Sequence, residues 1–562
     1  MSVTDRLPPP QPAAARHRDQ LFPTLTPHQI QRVAVHGRSR ATSTGEVLIE
    51  AGDAVVPFFV VVRGEIEVLR PSGGSETLIT THHPGQFSGE ATMLTGRRSL
   101  ARTRVLEAGE VIELQREQLL ALIQADAELS EILMRAFVLR RAELIAGGIG
   151  DVVVMGSAHC SGTLRVKEFL TRNGHPFHAF DLDRDAEAQS LLDQFHVSAS
   201  DVPVVICGGD RVLRNPSNRQ IAECLGFNES VDPTTVRDLV IVGGGPAGLG
   251  AAVYGASEGL EVLVVESNAP GGQAGSSSRI ENYLGFPAGI SGLELTARAY
   301  AQAQKFGAQL MIANGATSLG CDRRPYSVDI EGDSRVAARA VIIATGAEYR
   351  RPALDNLVQF EGAGIYYGAT AMEAQLCANE DIIVVGGGNS AGQAAVFLAQ
   401  TAKRVQLLIR RDGLADTMSR YLIRRIEDNP AILVRTHTEI VALEGDRHLA
   451  RVRCRNSQTG EVDTLEIAHV FMMTGATPNT RWLNNCLALD DKGFIKTGPD
   501  LSPEDLAAAG WALKRPPYLL ETSRPGVFAV GDVRAGNVKR VASAVGEGAI
   551  AVSFVHQVLQ KS

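Results

Sequence analysis

Hydrophobic and polar positions change their rhythm three times along the chain. Between residues 20 and 146, short alternating runs (EVLIEAG, FFVVVRGEIEVL, ETLITTHH) separated by turn residues predict an all-β unit. A helical pattern over 117–145 follows and is expected to cover that unit's pocket before a GGIG linker at 147–150. From 151 to 228 the order is strand (DVVVM), a turn holding Cys160, and an amphipathic helix with Leu164, Val166, Phe169 and Leu170. A second strand follows, then Val202-Pro203 ahead of a further apolar strand. NESVDPTTV (228–236) is a second linker. Beyond it the runs become continuous: DLVIV, EVLVV and DIIVV predict buried strands, each met by a Gly-rich turn and a helix.

Composition narrows the class. At 562 residues the chain has room for three to five domains of roughly 150 residues. With 44% hydrophobic and 21% charged residues it is globular material. A net charge of −8 argues against a nucleic-acid partner, which needs a basic face. No apolar run approaches the ~18 residues of a membrane span, so no membrane partner is expected. The first 19 residues, Pro- and Ala-rich without an apolar core, are expected to be a disordered arm. Seven scattered cysteines without a Cys-x-x-Cys pair suit a reducing cytoplasm and give no metal site.

Two glycine motifs carry the first chemistry. Residues 237–266 place Gly243, Gly245 and Gly248 between a strand and a helix, and end the next strand on Glu266. The first glycine permits the tight turn, the second admits a pyrophosphate, the third lets helix and strand approach, and the acid accepts from a ribose. Residues 381–411 repeat the unit with Gly386, Gly388 and Ala391, but Arg410 and Arg411 stand where the acid was. A carboxylate repels a 2′-phosphate and two guanidiniums bind one, so the second site is read as taking NADPH.

Around these motifs, GGQ (271–273), IENYLGFP (280–287), ATGA (344–347), TGATPNT (474–480) and GDVRAGNVKRVASAVGEGA (531–549) resemble the low-molecular-weight thioredoxin reductases. The resemblance implies an FAD domain split into 237–350 and 477–562, with an NADPH domain at 351–476 that rotates to bring nicotinamide to the flavin. It implies FAD contacts from Gln273, Asn282, Gly531, Asp532, Arg540 and Val541, and a homodimer. Two departures stand out. Lys539-Arg540 replace the family's Arg-Gln, and Ala415 replaces a third arginine on the 2′-phosphate. The family's Cys-Ala-Thr-Cys, whose thiols take electrons from the flavin, aligns with Gly368-Ala369-Thr370-Ala371. Cys377, six residues on, is read as a small apolar helix residue.

Two further resemblances complete the chain. Residues 151–228 resemble a glutaredoxin-like thioredoxin fold in which CSGT replaces the usual CPxC motif. This implies a cis Pro203 facing Cys160, a lone thiol at a helix N-terminus, where thiolates are favoured. Cys207 and Cys224 read as core. Residues 82–105 resemble the phosphate cassette of cyclic-nucleotide-binding domains, with PGxFxGE and an Arg-Ser pair. There Gly89 and Ala91 would offer N–H groups, Glu90 would accept from the 2′-OH, and Arg98 with Ser99 would hold the phosphate of cAMP or cGMP; Arg97 is the competing cation.

The expected fold class is therefore multidomain: a β-roll, a thioredoxin-like α/β unit and two Rossmann-like domains. The expected function is a cyclic-nucleotide-regulated, NADPH-dependent FAD oxidoreductase that reduces a disulfide or another small or protein acceptor without the family dithiol, with Cys160 as the candidate thiol. A ferredoxin- or flavodoxin-NADP reductase and a non-catalytic redox sensor are the alternatives.

Overall fold

The computed structural model describes residues 18–72, 75–89, 93, 97–146, 152–157, 160–182, 201–207, 211–228, 231–446 and 448–560. The expected arm, 1–19, falls mostly outside these; within them Arg18–Leu21 are helical. The GGIG linker lies outside as well.

In the N-terminal segment, α1 (Pro27–His36) precedes β1 (Arg38–Thr42), β2 (Val47–Ile49), β3 (Phe58–Ser72), β4 (Ser75–His82) and β5 (Arg102–Leu114). These form an antiparallel sheet in the order β1-β5-β3-β4, with β2 on β5. The one helix expected over 117–145 is two, α2 (Arg116–Ala125) and α3 (Ala127–Ala146). Asp126 makes the break: its carboxylate accepts from the Leu129 backbone N–H at 3.0 Å and caps α3. Both helices bury Leu119, Leu122, Leu133 and Phe137 against Phe58, Val60 and Phe87.

The middle segment runs β6 (Val152–Gly156), α4 (Ser161–Arg172), β7 (Phe177–Asp181), β8 (Val204–Cys207), β9 (Arg211–Arg214) and α5 (Asn218–Cys224). Its sheet order is β7-β6-β8-β9, with β6 and β7 parallel and the other pairs antiparallel. Val166, Phe169 and Leu170 of α4 pack on Val152, Val154 and Val205. Cys207 is buried and Cys224 only partly so.

From β10 (Val236–Val242) the chain builds a seven-stranded sheet. It continues through α6 (Pro246–Ser257), β11 (Val262–Glu266), α7 (Gly272–Gly275), α8 (Gly292–Lys305), β12 (Gln309–Ile312), β13 (Ala316–Gly320), β14 (Tyr326–Ile330) and β15 (Ser334–Ile343). Alternate residues of β10 face opposite cores, Leu239 and Ile241 toward α6, Val240 and Val242 toward β14, so the strand reads as one apolar run.

Strand β16 (Ala347–Tyr349) leaves this sheet. After it come α9 (Leu357–Phe360), β17 (Ile365–Tyr366), α10 (Ala371–Leu376), β18 (Asp381–Val385), α11 (Asn389–Leu398), β19 (Arg404–Leu408), α12 (Arg420–Glu427) and β20 (Ile432–Arg435). A three-stranded sheet follows, β21 (Thr438–Gly445), β22 (Leu449–Asn456) and β23 (Val462–Leu465), and then β24 (Val470–Met472). The parallel sheet here has the order β17-β24-β18-β19-β20. Strand β25 (Ala476–Pro478) pairs with β16, so two antiparallel strands form the way into and out of this unit. The chain then returns through α13 (Pro503–Ala508) to the first sheet: β26 (Val527–Ala529) lies parallel to β15.

The last helix, α14 (Val541–Leu559), changes one expectation: it is long and apolar enough to cross a membrane by length and composition. Glu547 and His556 interrupt the run in the sequence, which hid it. Ala551, Val552 and Val555 of this helix are fully buried in the core beside α6 and Phe528. Each branched side chain so buried contributes about 1.5–3 kcal/mol.

A second difference concerns the cysteines. Cys321, just after β13, is disulfide-bonded to Cys486, 165 residues away, and the bond joins the two stretches that share the seven-stranded sheet. Unreduced denatured protein should therefore titrate five free thiols and reduced protein seven. The Cys321→Ser variant should unfold more easily, by up to about 5 kcal/mol. Seven thiols before reduction would remove the bond.

Candidate nucleotide and thiol sites

Each glycine of the first motif meets a separate steric demand. Gly243 has φ +109°, and a side chain on it would strike the Ala344 carbonyl. A side chain on Gly248 would strike the Gly243 carbonyl. Gly245 caps α6, and a Cβ there would meet nothing nearer than the Gly272 Cα at 3.8 Å, which leaves the helix N-terminus open to a diphosphate. Glu266 ends β11 buried; one carboxylate oxygen accepts from the Gly244 N–H at 2.7 Å and the other from the Asn268 N–H at 2.8 Å. Burial pushes this carboxyl above the usual range, while those N–H bonds pull it back.

The 531–532 turn sits on the same helix start. A Cβ on Gly531, at φ +70°, would lie 2.9 Å from Ala247 Cβ, and the Gly531 N–H donates to Glu547 at 2.7 Å. Asp532 is half-buried, accepts from Asn537 at 2.9 Å, and has the Lys539 ammonium 3.8 Å away. Arg540 is exposed and caps α14, whose first residue is Val541. Gln273, exposed in α7, donates to the Ala347 carbonyl, and Asn282 is exposed on the loop between α7 and α8.

The second motif repeats the plan. Gly386 (φ +143°) abuts the Met473 carbonyl, Gly388 caps α11 with open space around it, and Ala391 is buried. Arg410 and Arg411 follow β19 and are both exposed; Arg411 lies 4.0 Å from Asp416. Between the two cradles stands Tyr349, which the sequence did not single out. It lies on the β16 link, hydrogen-bonds Ser390 at the start of α11, feels the charge of Asp532, and is pushed up by burial.

In Gly368-Ala369-Thr370-Ala371, the Thr370 N–H donates to Glu373 at 2.9 Å and its hydroxyl bonds the same carboxylate, closing the first turn of α10. Cys377 is fully buried, donates weakly to the Ala374 carbonyl, and burial pushes its thiol up to about 11. That thiol is inert core, as expected from sequence.

Cys160 is half-buried and caps α4. Val202–Pro203 is cis, and a Cβ on Gly162 would lie 2.9 Å from Pro203 Cδ and 3.7 Å from the Cys160 sulfur, so proline and thiol share one spot. Thr163 is fully buried beneath it. The same helix start meets the second nucleotide unit: a Cβ on Gly362 would lie 2.7 Å from Ser161 Cβ, and Leu164 packs on the core containing Ala369, Ala374 and Cys377.

In the N-terminal segment, Gly89 has φ +94°, and Arg140 on α3 donates to its carbonyl at 2.7 Å and to that of Phe87 at 3.0 Å. Glu90 and Ala91 lie outside the described residues. The two candidate cations part company here. Arg98 is exposed and donates to the Gly52 carbonyl at 3.2 Å, whereas Arg97 is buried in a domain junction. Arg97 donates to the Asn173 carbonyl at 2.8 Å and lies 4.3 Å from the Phe227 ring and 5.6 Å from that of Tyr300. Ser99, expected on a phosphate, donates to its own neighbour, the Ala101 carbonyl.

The model of the pyridine nucleotide-disulphide oxidoreductases matches residues 237–548, over half of the chain. The chain belongs to the pyridine nucleotide-disulphide oxidoreductase family. The cyclic nucleotide-binding domain model matches residues 40–126. Similar curated proteins include a thioredoxin reductase of Mycolicibacterium smegmatis, 35% identical over 56% of this chain and 94% of that one. NADPH-dependent thioredoxin reductase 3 of Arabidopsis thaliana is 31% identical over 61% and 64% respectively. Among solved structures, the Lactococcus lactis thioredoxin reductase in its FR conformation gives a TM-score of 0.52 at 27% identity, covering 58% of this chain and all of that one. Thioredoxin reductase from T. acidophilum gives 0.51 at 27% identity, covering 57% and 98%. The protein is a thioredoxin reductase-like, FAD-dependent oxidoreductase of this family with a cyclic nucleotide-binding domain at its N-terminal end.

The open N-termini of α6 and α11, with an acid beside one and two arginines beyond the other, fit FAD and NADPH. Glu266 sets a pH dependence. Its carboxyl is raised, so apoprotein stability from this group is full at low pH and is lost as pH rises through the raised value. In the ribose role expected from the sequence, only the carboxylate form would accept from both hydroxyls. FAD affinity should therefore fall on acidification sooner than an exposed Glu would dictate, and Glu266→Ala should weaken FAD by about tenfold or more. Fluorescence titrations at several pH values check both; a flat profile in the wild type removes the ribose role.

Proposed function

We propose that this oxidoreductase takes electrons from NADPH under control of a cyclic nucleotide, cAMP or cGMP, and passes them on without a Cys-x-x-Cys pair of its own. The observation that carries the proposal is the seat of α4. The place that resembles the family's dithiol holds Gly368 to Ala371, its nearest thiol is buried core, and the helix capped by Cys160 packs against that same unit. We read the middle segment as a glutaredoxin-like domain whose helix-capping thiol, Cys160, replaces the missing pair.

When bound, NADPH and FAD supply hydride transfer. The chain's residues would bind and orient them: Gly243, Gly245 and Gly248 shape the diphosphate cradle, Glu266 would hold the ribose, and Asp532 would accept from the ribitol chain. Arg410 and Arg411 would select the 2′-phosphate, and Tyr349, bonded to Ser390 at the start of α11, feels the charge of Asp532. Cys160, held at the start of α4 beside Pro203, exchanges with a disulfide substrate RSSR: the sulfur–sulfur bond breaks, one RSH leaves, and Cys160 forms a mixed disulfide with the other half. Two electrons and two protons then return Cys160 to the thiol and release the second RSH. In the N-terminal domain Arg98, exposed and bonded to the Gly52 carbonyl beside Gly226 of the middle segment, is the cation left for a cyclic phosphate, since Arg97 is buried.

Anaerobic NADPH titration of the flavin spectrum, with and without cAMP or cGMP, tests the reading. Bleaching by NADPH whose rate responds to one nucleotide supports it; a flavin that stays oxidised at excess NADPH in every condition ends it. Cys160→Ser should leave bleaching intact and abolish turnover with disulfides, and unchanged disulfide turnover would send the electrons elsewhere. Replacing Arg410 and Arg411 by alanine should raise KM for NADPH roughly 10–100-fold and leave NADH little changed.

A further inference from the structure

Arg172 is the last residue of α4, at the opposite end from Cys160. Although it belongs to the middle segment, its guanidinium reaches the first nucleotide site. One terminal nitrogen donates to the Gly272 carbonyl at 2.8 Å and to that of Ala269 at 3.4 Å, and lies 3.8 Å from where a Cβ on Gly275 would be. The other is 3.5 Å from Glu168, one turn back on α4. The turn it grips is part of the cradle: Gly272 has φ +52°, and a Cβ there would lie 3.1 Å from the Gly245 Cα. The charge of Arg172 also acts on Glu266, partly offsetting the burial of that carboxylate. The side chain is 14% exposed, and its Nε is buried without a hydrogen-bond partner.

A guanidinium this far buried is costly, and anionic charge near it offsets the penalty. The nearest anionic chemistry this cradle is built for is a dinucleotide diphosphate with its adjoining ribose. We propose that Arg172 is a positioning residue of the FAD site, contributed by the middle domain: it fixes the Ala269–Gly272 turn through two carbonyls and lends its charge to the diphosphate–ribose end of the cofactor. This rests on the FAD assignment made above. It makes FAD binding and the seating of α4 reciprocal, since whatever tightens one tightens the other.

Titration of FAD into full-length apoprotein, followed by flavin fluorescence, reads the affinity directly. Arg172→Ala should weaken FAD about tenfold or more, the range of a lost charge-assisted contact, and Arg172→Lys should recover most of it. Saturating FAD should slow hydrogen exchange of the α4 amides in the wild type and fail to do so in Arg172→Ala. An Arg172→Ala protein that binds FAD within twofold of the wild type overturns the proposal, as does an α4 whose exchange ignores FAD. A lysine variant as weak as the alanine one also overturns it, because packing rather than charge would then be at work. Wild-type protein that takes up no FAD at all is a different failure, that of the cofactor assignment itself.

Discussion

Helix α4 is pinned at both ends by other domains, and the arrangement of the molecule follows from that. Twelve residues make a rod of about 18 Å. At its start Ser161 and Leu164 lie on the unit holding the second glycine motif, and at its end Arg172 lies on the turn beside the first. The two nucleotide units are joined covalently only through the β16 and β25 strands, so this rod is a second link between them. It is also where the N-terminal domain bears down, because Arg97 bonds the Asn173 carbonyl at the C-cap of α4. These contacts are small and largely polar, the kind that separate and re-form more readily than a core.

The same geometry gives the missing dithiol a context. A chain that had merely lost its exit thiols could leave the place to solvent. Here Ala369 and Ala374 are buried in a core on which Leu164 packs, and Glu373 is held in that setting, its carboxyl raised chiefly by burial and further by the charge of Glu168 on α4. On the function proposed above, intake machinery and exit would be divided between units that touch. The glycines, Glu266 and the arginines stay with the nucleotide units, while the half-buried Cys160 belongs to the middle one.

Much of this was legible in the sequence because it obeys local rules. Gly243, Gly245 and Gly248 are required by clashes within one strand–turn–helix, and the amphipathic spacing of Val166, Phe169 and Leu170 marks α4 without outside help. The parts that escaped depend on distant partners. Arg172 meets Gly272 across 100 residues from outside any motif, and Arg97, weighed in the sequence only as a phosphate cation, meets Asn173 across 76. Asp126 broke a helix that periodicity alone joined, since one carboxylate capping a backbone N–H leaves the apolar spacing untouched. Ser99, read from the sequence as a phosphate donor, also bonds the Ala101 carbonyl two residues on, a local bond that no motif announces.

The Cys321–Cys486 bond has a consequence for how the chain survives damage. The seven-stranded sheet is assembled from two stretches of sequence, with the second nucleotide unit strung between β16 and β25 like a long loop. A protease that cuts anywhere in that loop would ordinarily set the two stretches free of each other. With the sulfurs joined, the nicked protein remains one covalent body, and its sheet can reassemble as an intramolecular event. Whether it falls apart is then decided by the surrounding thiol potential rather than by the cut.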